Sequence, residues 1–213
     1  SGAAMMVTCA TVPAHAGGDV YSNDAQGGDG SYSQRVISFS GVDVSQDANS
    51  FYGGTLVALN GDFGRDGFVF RLVGISSDYE YDEATVPGGR VDADDRSFDV
   101  MIGYQRTMGV FTATAYVGFE YRDIDLSPAD PGNDIQGSES GFKVALDAET
   151  SDEIPLFLSF SGAYSTAFDA YYALFRTGYN AKRFVVGPEG LFGEIEGEDY
   201  QRLGGFVTFR FNL

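Results

Sequence analysis

The feature that most restricts the fold is a two-residue alternation of apolar and polar side chains, which recurs in ten segments of the chain. Residues i and i+2 share a face in an extended strand, whereas a helix repeats about every 3.6 residues. Regularly spaced segments of this kind, separated by turn-forming residues, are typical of a β-barrel or a β-sandwich. The ten predicted strands cover residues 35–44, 50–60, 67–77, 97–106, 110–122, 140–149, 155–165, 169–179, 183–192 and 202–213.

The lengths of the connections distinguish a barrel from a sandwich. Every even-numbered connection is short, whereas the third (78–96) and the fifth (123–139) are long, acidic and rich in Gly or Pro. Outer-membrane barrels have short periplasmic turns and longer external loops, while the Greek-key connections of a sandwich do not sort by length in this way. We therefore predict an all-β fold: a single antiparallel up-and-down transmembrane β-barrel of about ten strands, with periplasmic termini and extracellular acidic loops.

One face of most predicted strands is apolar, and the charged residues fall on the other face. In the fifth strand, Phe111 and Phe119 lie opposite Glu120 and Arg122. A Lys or Arg that faces lipid at the bilayer midplane costs about 2–4 kcal/mol, so the apolar face is expected outside and a charge network in the lumen. The predicted network consists of Arg71, Asp99, Glu120, Arg122, Lys143, Asp147, Arg176, Glu189, Arg202 and Arg210. A soluble ligand-binding barrel with an apolar interior is the alternative, because alternation alone does not define the inner face.

The first part of the chain has a different composition from the strands. The stretch "AAMMVTCATVPAHA" (3–16) is largely apolar and ends in an A-x-A pattern, which is typical of a signal-peptide cleavage site. Cleavage there would remove Cys9 and His15, the only Cys and His of the chain, and with them thiol and imidazole chemistry. The predicted divisions are a signal-peptide remnant (1–16), a flexible leader (17–34) and the outer-membrane barrel (35–213).

Composition and motifs argue against a catalytic or nucleic-acid-binding role. The formal net charge of -18 disfavours nucleic acid as a partner. Carboxylates such as Asp99 and Glu120 have the chemistry of a glycosidase pair, but we expect the lumen cations to pair with them instead. Asp92, Asp94 and Asp95 are weak Ca²⁺ candidates, since they lack the spacing of a dedicated calcium loop. We therefore predict no catalytic residue, no metal site and no cofactor.

Several stretches resemble the cellulose biosynthesis protein BcsS family. They are "FYGGTLVALNGDFGRDGFVFRLVG" (51–74), "IGYQ" (102–105), "GFEYRDIDLSPADPGNDIQGSESGFKVALDAE" (118–149) and "VVGPEG" (185–190), and the resemblance extends over about residues 38–213. It implies a small barrel in the outer membrane of a Gram-negative bacterium, acting as a non-catalytic accessory in cellulose biosynthesis or export through scaffolding or polymer contact. The implied partners are outer-membrane lipid and cellulose or other components of cellulose secretion. A small passive channel with a charged lumen is the alternative function.

Overall fold

The computed structural model describes residues 35–44, 48–151, 153–181 and 184–209. The predicted signal-peptide remnant, the predicted leader and Arg210 lie outside these ranges. Within them, no helix has the length and apolar character needed to cross a membrane.

The described chain forms one antiparallel sheet in which each strand pairs with the next strand in sequence. A short 3₁₀ helix, Ala167–Asp169, joins β7 to β8. The predicted all-β, up-and-down architecture is therefore confirmed. The strands are β1 (Val36–Val44), β2 (Ala48–Ala58), β3 (Gly67–Asp82), β4 (Arg90–Met108), β5 (Phe111–Ser127), β6 (Gly137–Thr150), β7 (Leu156–Ser165), β8 (Ala170–Asn180), β9 (Phe184–Ile195) and β10 (Glu198–Phe209).

The sheet curls so that its charged face points inward and its apolar face outward. Phe119 and Phe142 are 60% and 57% exposed, whereas Arg71 and Lys143 are 1% and 6% exposed. Side chains of strands that are not neighbours meet inside, since Arg71 Nη1 on β3 lies 2.9 Å from Asp147 Oδ2 on β6. The alternation along each strand thus separates an outer apolar surface from a buried polar interior.

The third and fifth connections are shorter than predicted because the strands beside them are longer. β3 runs to Asp82 and β4 begins at Arg90, so the turn between them covers only residues 83–89. Tyr79 and Val91 are buried on the inner face, and the acidic residues beside them are exposed. The two-residue alternation therefore continues through the acidic stretch, although its charge predicts a loop. We call residues 76–82, 90–96 and 123–127 the outer extension.

An apolar layer closes the interior at the end of the short turns, which we call the short-turn end. Phe63, from the β2–β3 turn, is 2% exposed and packs with Ile37, Leu56 and Met101. Gln105 Nε2 holds this turn in place by donating hydrogen bonds to the backbone oxygens of Phe63 (2.8 Å) and Arg65 (3.1 Å).

A second apolar layer lies at the opposite end, which we call the long-loop end. Phe168 of the 3₁₀ helix is 1% exposed and packs in one cluster with Val86 and Ile135 from the β3–β4 and β5–β6 connections. The Phe168 N–H donates to Glu139 Oε2 at 2.8 Å, and its carbonyl accepts from the Glu196 N–H at 3.1 Å. Loops from four connections are thus joined across this end.

β1 and β10 are the two edges of the sheet. Each pairs with its neighbour along the chain, and their described residues form no ladder with each other. An ion pair between Arg202 on β10 and Asp43 on β1 nevertheless spans the two edges. We call this junction the seam.

Candidate functional site

The middle layer of the interior is a group of five buried charged residues. The ammonium of Lys143 on β6 lies 2.9 Å from Asp99 Oδ2 on β4 and 2.7 Å from Glu120 Oε1 on β5. Arg71 Nη1 lies 2.9 Å from Asp147 Oδ2, and Arg71 Nε lies 3.9 Å from Asp99 Oδ1. Asp99 therefore connects the two cations. We call these five residues the central charge cluster.

Each member of the central charge cluster faces inward because of its place in the strand alternation. The strand registers bring three of them together. Asp99 on β4 lies directly opposite Glu120 on β5. Lys143 on β6 lies opposite Gly118, two residues before Glu120 on β5, and is therefore diagonal to Glu120. Ser161 and Tyr116 complete the surroundings: Ser161 Oγ donates to Asp147 Oδ1 at 2.5 Å, and the Tyr116 ring lies 5.2 Å from the Arg71 guanidinium.

Arg122 forms a separate buried pair near the long-loop end. Its Nε and Nη2 donate to Asp95 Oδ1 and Oδ2 at 2.9 and 2.5 Å, which is the two-pronged geometry that guanidinium and carboxylate favour. Asp95 is 6% exposed, whereas Asp92 and Asp94 lie on the exposed outer face of β4. The three weak Ca²⁺ candidates therefore do not converge on one point.

Four charged residues form a chain at the seam. Glu189 Oε2 accepts from Arg176 Nε at 2.8 Å, and Glu189 Oε1 lies 3.6 Å from Arg202 Nη2. Arg202 Nη2 also donates to Asp43 Oδ2 on β1. We call Asp43, Arg202, Glu189 and Arg176 the seam chain.

The structure thus places every described residue of the predicted lumen network on the inner face and in an ion pair. Sequence reasoning missed Asp43, Tyr116 and Ser161 as partners, although their positions in the strand alternation mark them as inward residues. Asp95, which the sequence predicts only as a weak Ca²⁺ candidate, is the partner of Arg122.

A small cavity lies between the central charge cluster and the long-loop end. Its volume is about 40 Å³, and its lining includes Glu120, Arg122, Lys143, Ser165 and Tyr172. This volume suits a few water molecules and is far below the 300–1,000 Å³ of typical small-molecule sites. In the described part of the chain, no three His, Cys, Asp or Glu residues are grouped to hold a metal ion.

The arrangement of the interior is suited to filling and stabilising a barrel. The carboxylates of Asp99, Glu120 and Asp147 are each within ion-pair distance of a Lys or Arg. A glycosidase needs one acid free to donate a proton and a sugar ring seated between the two acids. In the interior, Asp99, Glu120 and Asp147 instead lie against cations beside a cavity of about 40 Å³.

Comparison with known proteins gives one finding. The family model described as cellulose biosynthesis protein BcsS matches residues 37–213. No curated protein and no solved structure matches the chain.

Proposed function

The chain belongs to the cellulose biosynthesis protein BcsS family, and we propose that it serves that pathway as a non-catalytic barrel of the bacterial outer membrane. In this role it scaffolds the cellulose-secretion machinery or contacts the polymer. The family supports the role in cellulose biosynthesis, and the surface of the barrel supports the location.

The observation that carries the proposed location is the height of the outer apolar band. On β5 the outward residues from Phe111 to Tyr121 are apolar or aromatic, and the outward residues beyond them are Asp123 and Asp125. At about 3.3 Å per residue and a strand tilt of about 40°, this run has a height of about 25 Å. Outer-membrane barrels have an outward apolar band of about this height.

Aromatic residues mark both borders of the band. Near the short-turn end the exposed aromatic residues are Phe68, Tyr104, Phe111, Tyr179, Phe184 and Phe209. Towards the long-loop end they are Phe51, Phe98, Phe119, Tyr121, Phe142, Tyr164, Tyr171 and Phe192, and Phe175 lies between the two groups. Two such girdles are expected at the two interfaces of a bilayer.

The apolar outer face and the charged interior together argue against a soluble ligand-binding barrel. Such a barrel has an apolar cavity inside and charged residues outside. Here Arg71 is 1% exposed, while Leu203 is 84% exposed. The filled interior likewise argues against a passive channel, because two apolar layers and a charge cluster lie along its axis.

Cysteine labelling tests the location and the orientation. In a Cys9→Ser background, Thr85→Cys places a thiol in the β3–β4 turn, and Glu153→Cys places one in the β6–β7 turn. On intact cells, a membrane-impermeant maleimide is expected to label Thr85→Cys, and Glu153→Cys only after permeabilisation. Equal labelling of both variants in intact cells, or recovery of the protein in the soluble fraction, would contradict the proposed location.

Gene deletion tests the role in cellulose biosynthesis. Deletion is expected to lower the amount of secreted cellulose or to change its fibres, and the wild-type gene is expected to restore both. Unchanged amount and fibre morphology would contradict the role.

Sedimentation of the purified barrel in nanodiscs with microcrystalline cellulose distinguishes scaffolding of the secretion machinery from direct contact with the polymer, because only direct polymer contact predicts cosedimentation.

A further inference from the structure

At the seam, β1 and β10 lie next to each other, but their described residues form no ladder. β1 pairs only with β2, and β10 only with β9, over the described residues of all four strands. Backbone N–H and C=O groups that face hydrocarbon cannot bond to water, so an unpaired edge is costly within a bilayer. A barrel with this sheet order therefore has a strong driving force to join β1 to β10.

The Asp43–Arg202 pair spans the seam and indicates how the edges align. β1 and β10 run in opposite directions, because consecutive strands of the sheet are antiparallel. If Asp43 lies opposite Arg202, then Val36–Val44 faces Gln201–Phe209 residue for residue. In that alignment Ser38 faces Val207, and both of these side chains point outward.

Among the interior ion pairs of the described residues, the Asp43–Arg202 pair is the most exposed to solvent and therefore the easiest to break. The side chains of Asp43 and Arg202 are each 21% exposed, against 2% to 7% in the central charge cluster. Glu189 Oε1, on β9, lies 3.6 Å from Arg202 Nη2 and stays beside it when β1 moves away. Gly204 and Gly205 follow Arg202, are both exposed and give β10 little side-chain packing there.

We propose that the seam is a lateral opening of the barrel which closes by antiparallel pairing of β1 with β10, with Asp43 opposite Arg202 as the latch. In the closed form the two edges satisfy each other's backbone groups. In the open form Arg202 stays with Glu189, and the edges of β1 and β10 face the bilayer. This proposal rests on the proposed outer-membrane location and not on the role in cellulose biosynthesis.

Cross-linking between paired cysteines tests the alignment. In a Cys9→Ser background, Ser38→Cys with Val207→Cys is the in-register pair, and Ser40→Cys with Val207→Cys is the control shifted by two residues. Facing residues of an antiparallel pair have Cα atoms about 4.5–5.5 Å apart, which is within disulfide range. In folded protein in phospholipid vesicles, we expect oxidation to link the in-register pair at least tenfold faster than the control.

The latch is tested by adding Asp43→Asn to the in-register pair. Opening should become more frequent, so the linking rate is expected to fall several-fold, with the heat-shifted band on an SDS gel confirming that the barrel is folded. Equal rates for the two cysteine pairs would overturn the alignment. Linking between two chains in place of linking within one chain would also overturn it, and an unchanged rate with Asp43→Asn would overturn the latch.

Discussion

At the scale of single residues, the defining feature is the pairing of buried charges. Lys143 bonds to Asp99 and Glu120, and its side chain is only 7% exposed. Removing an ion from water costs several kcal/mol even after relaxation, and only close partners offset this cost. Loss of one member of the central charge cluster therefore leaves a buried charge without compensation and destabilises the barrel.

Replacing Lys143 by Met tests this dependence on the complete cluster. The substitution keeps much of the side-chain volume but removes the ammonium between the Asp99 and Glu120 carboxylates. Breaking a buried pair in this way costs about 3–5 kcal/mol. We expect a fall of that size in the free energy of unfolding, measured by urea titration in phospholipid vesicles with tyrosine fluorescence.

A surface pair provides the matched control for Lys143→Met. The Arg65 side chain is 79% exposed and lies 3.7 Å from Asp62, so Arg65→Met should cost no more than about 1 kcal/mol. Adding Glu120→Gln to Lys143→Met should recover part of the lost stability, because it removes one of the uncompensated charges. Equal losses for Arg65→Met and Lys143→Met would contradict this account.

Glu83, in the β3–β4 turn outside the apolar band, provides a prediction about pH. The Thr85 N–H and hydroxyl donate to Glu83 Oε1 at 2.9 and 2.8 Å, and these bonds lower the pKa of Glu83. Thr85→Val removes the hydroxyl bond, so the pKa should rise towards its ordinary value. Carboxyl-carbon NMR titration in micelles measures this shift, and an unchanged pKa would contradict it.

The sign of the accompanying stability effect follows from the lowered pKa. The folded-state pKa of Glu83 lies below the unfolded-state value. Its bonds therefore stabilise the turn above the unfolded pKa, and this contribution is lost as the pH falls through the folded pKa. The difference between the wild-type protein and Thr85→Val should consequently disappear in strong acid.

The inward position of each charged residue could be predicted, but its partner could not. Alternation places Arg71, Lys143 and Asp147 on one face because successive side chains point to opposite sides. Which carboxylate meets which cation across the barrel depends on strand register and tilt, and neither can be read from alternation. For this reason alternation predicts neither Asp43 as the partner of Arg202 nor Asp95 as the partner of Arg122.

At the scale of elements, the outer extension differs from the rest of the sheet because its exposed face is acidic, whereas the exposed face elsewhere is apolar. In one row, Asp94 on β4 lies opposite Asp78 on β3 and Asp125 on β5. Like charges directly opposite on a sheet destabilise it. The acidic density that made this stretch resemble a loop in sequence is thus carried by paired strands.

Replacing Asp94 by Asn should stabilise the outer extension. The substitution relieves repulsion from Asp78 and Asp125 and keeps the side chain polar. We expect the thermal midpoint at low ionic strength to rise by roughly 1–3 °C. The gain should shrink at about 1 M salt, where the Debye length is about 3 Å. Heat-modifiability on gels over a temperature series measures the midpoint.

Asp123 offers a control of opposite sign in the adjacent row. It lies opposite Arg96 on β4, and it accepts a hydrogen bond from the Ser138 hydroxyl. Asp123→Asn should therefore lower the midpoint or leave it unchanged. If both substitutions raised the midpoint equally, total charge would explain the effect and the row pattern would not.

The existence and order of the strands were accessible from sequence, whereas the ends of several strands were not. The predicted third strand ends at residue 77, because the Asp, Pro and Gly residues that follow indicate turns more often than strands. The structure shows that buried Tyr79 and Tyr81 continue the inner face of β3 to Asp82. Tertiary packing against the long-loop end thus outweighed local propensity.

At the scale of the whole molecule, the interior is organised as three layers. Apolar clusters that include Phe63 and Phe168 lie at the two ends, and the central charge cluster lies between them. Eight-stranded barrels have interiors that side chains can fill, and ten strands enclose a somewhat larger space. Here inward-turning loops and long charged side chains occupy that additional space.

This layering predicts that the barrel does not conduct ions. Purified protein in planar bilayers should give no stepwise conductance in about 1 M KCl.

The double variant Phe63→Ala with Phe168→Ala removes an aromatic ring from each apolar layer but leaves Arg71, Lys143 and their carboxylates in the middle layer. It should therefore also remain closed, although each substitution is expected to cost about 3–5 kcal/mol of stability. A porin in the same bilayers controls for insertion, and circular dichroism checks that the variant is folded.

Reproducible conductance steps from the wild-type protein would contradict the scaffold proposal and favour a passive channel with a charged lumen. Steps from the double variant alone would show that the apolar layers, and not the central charge cluster, block the path.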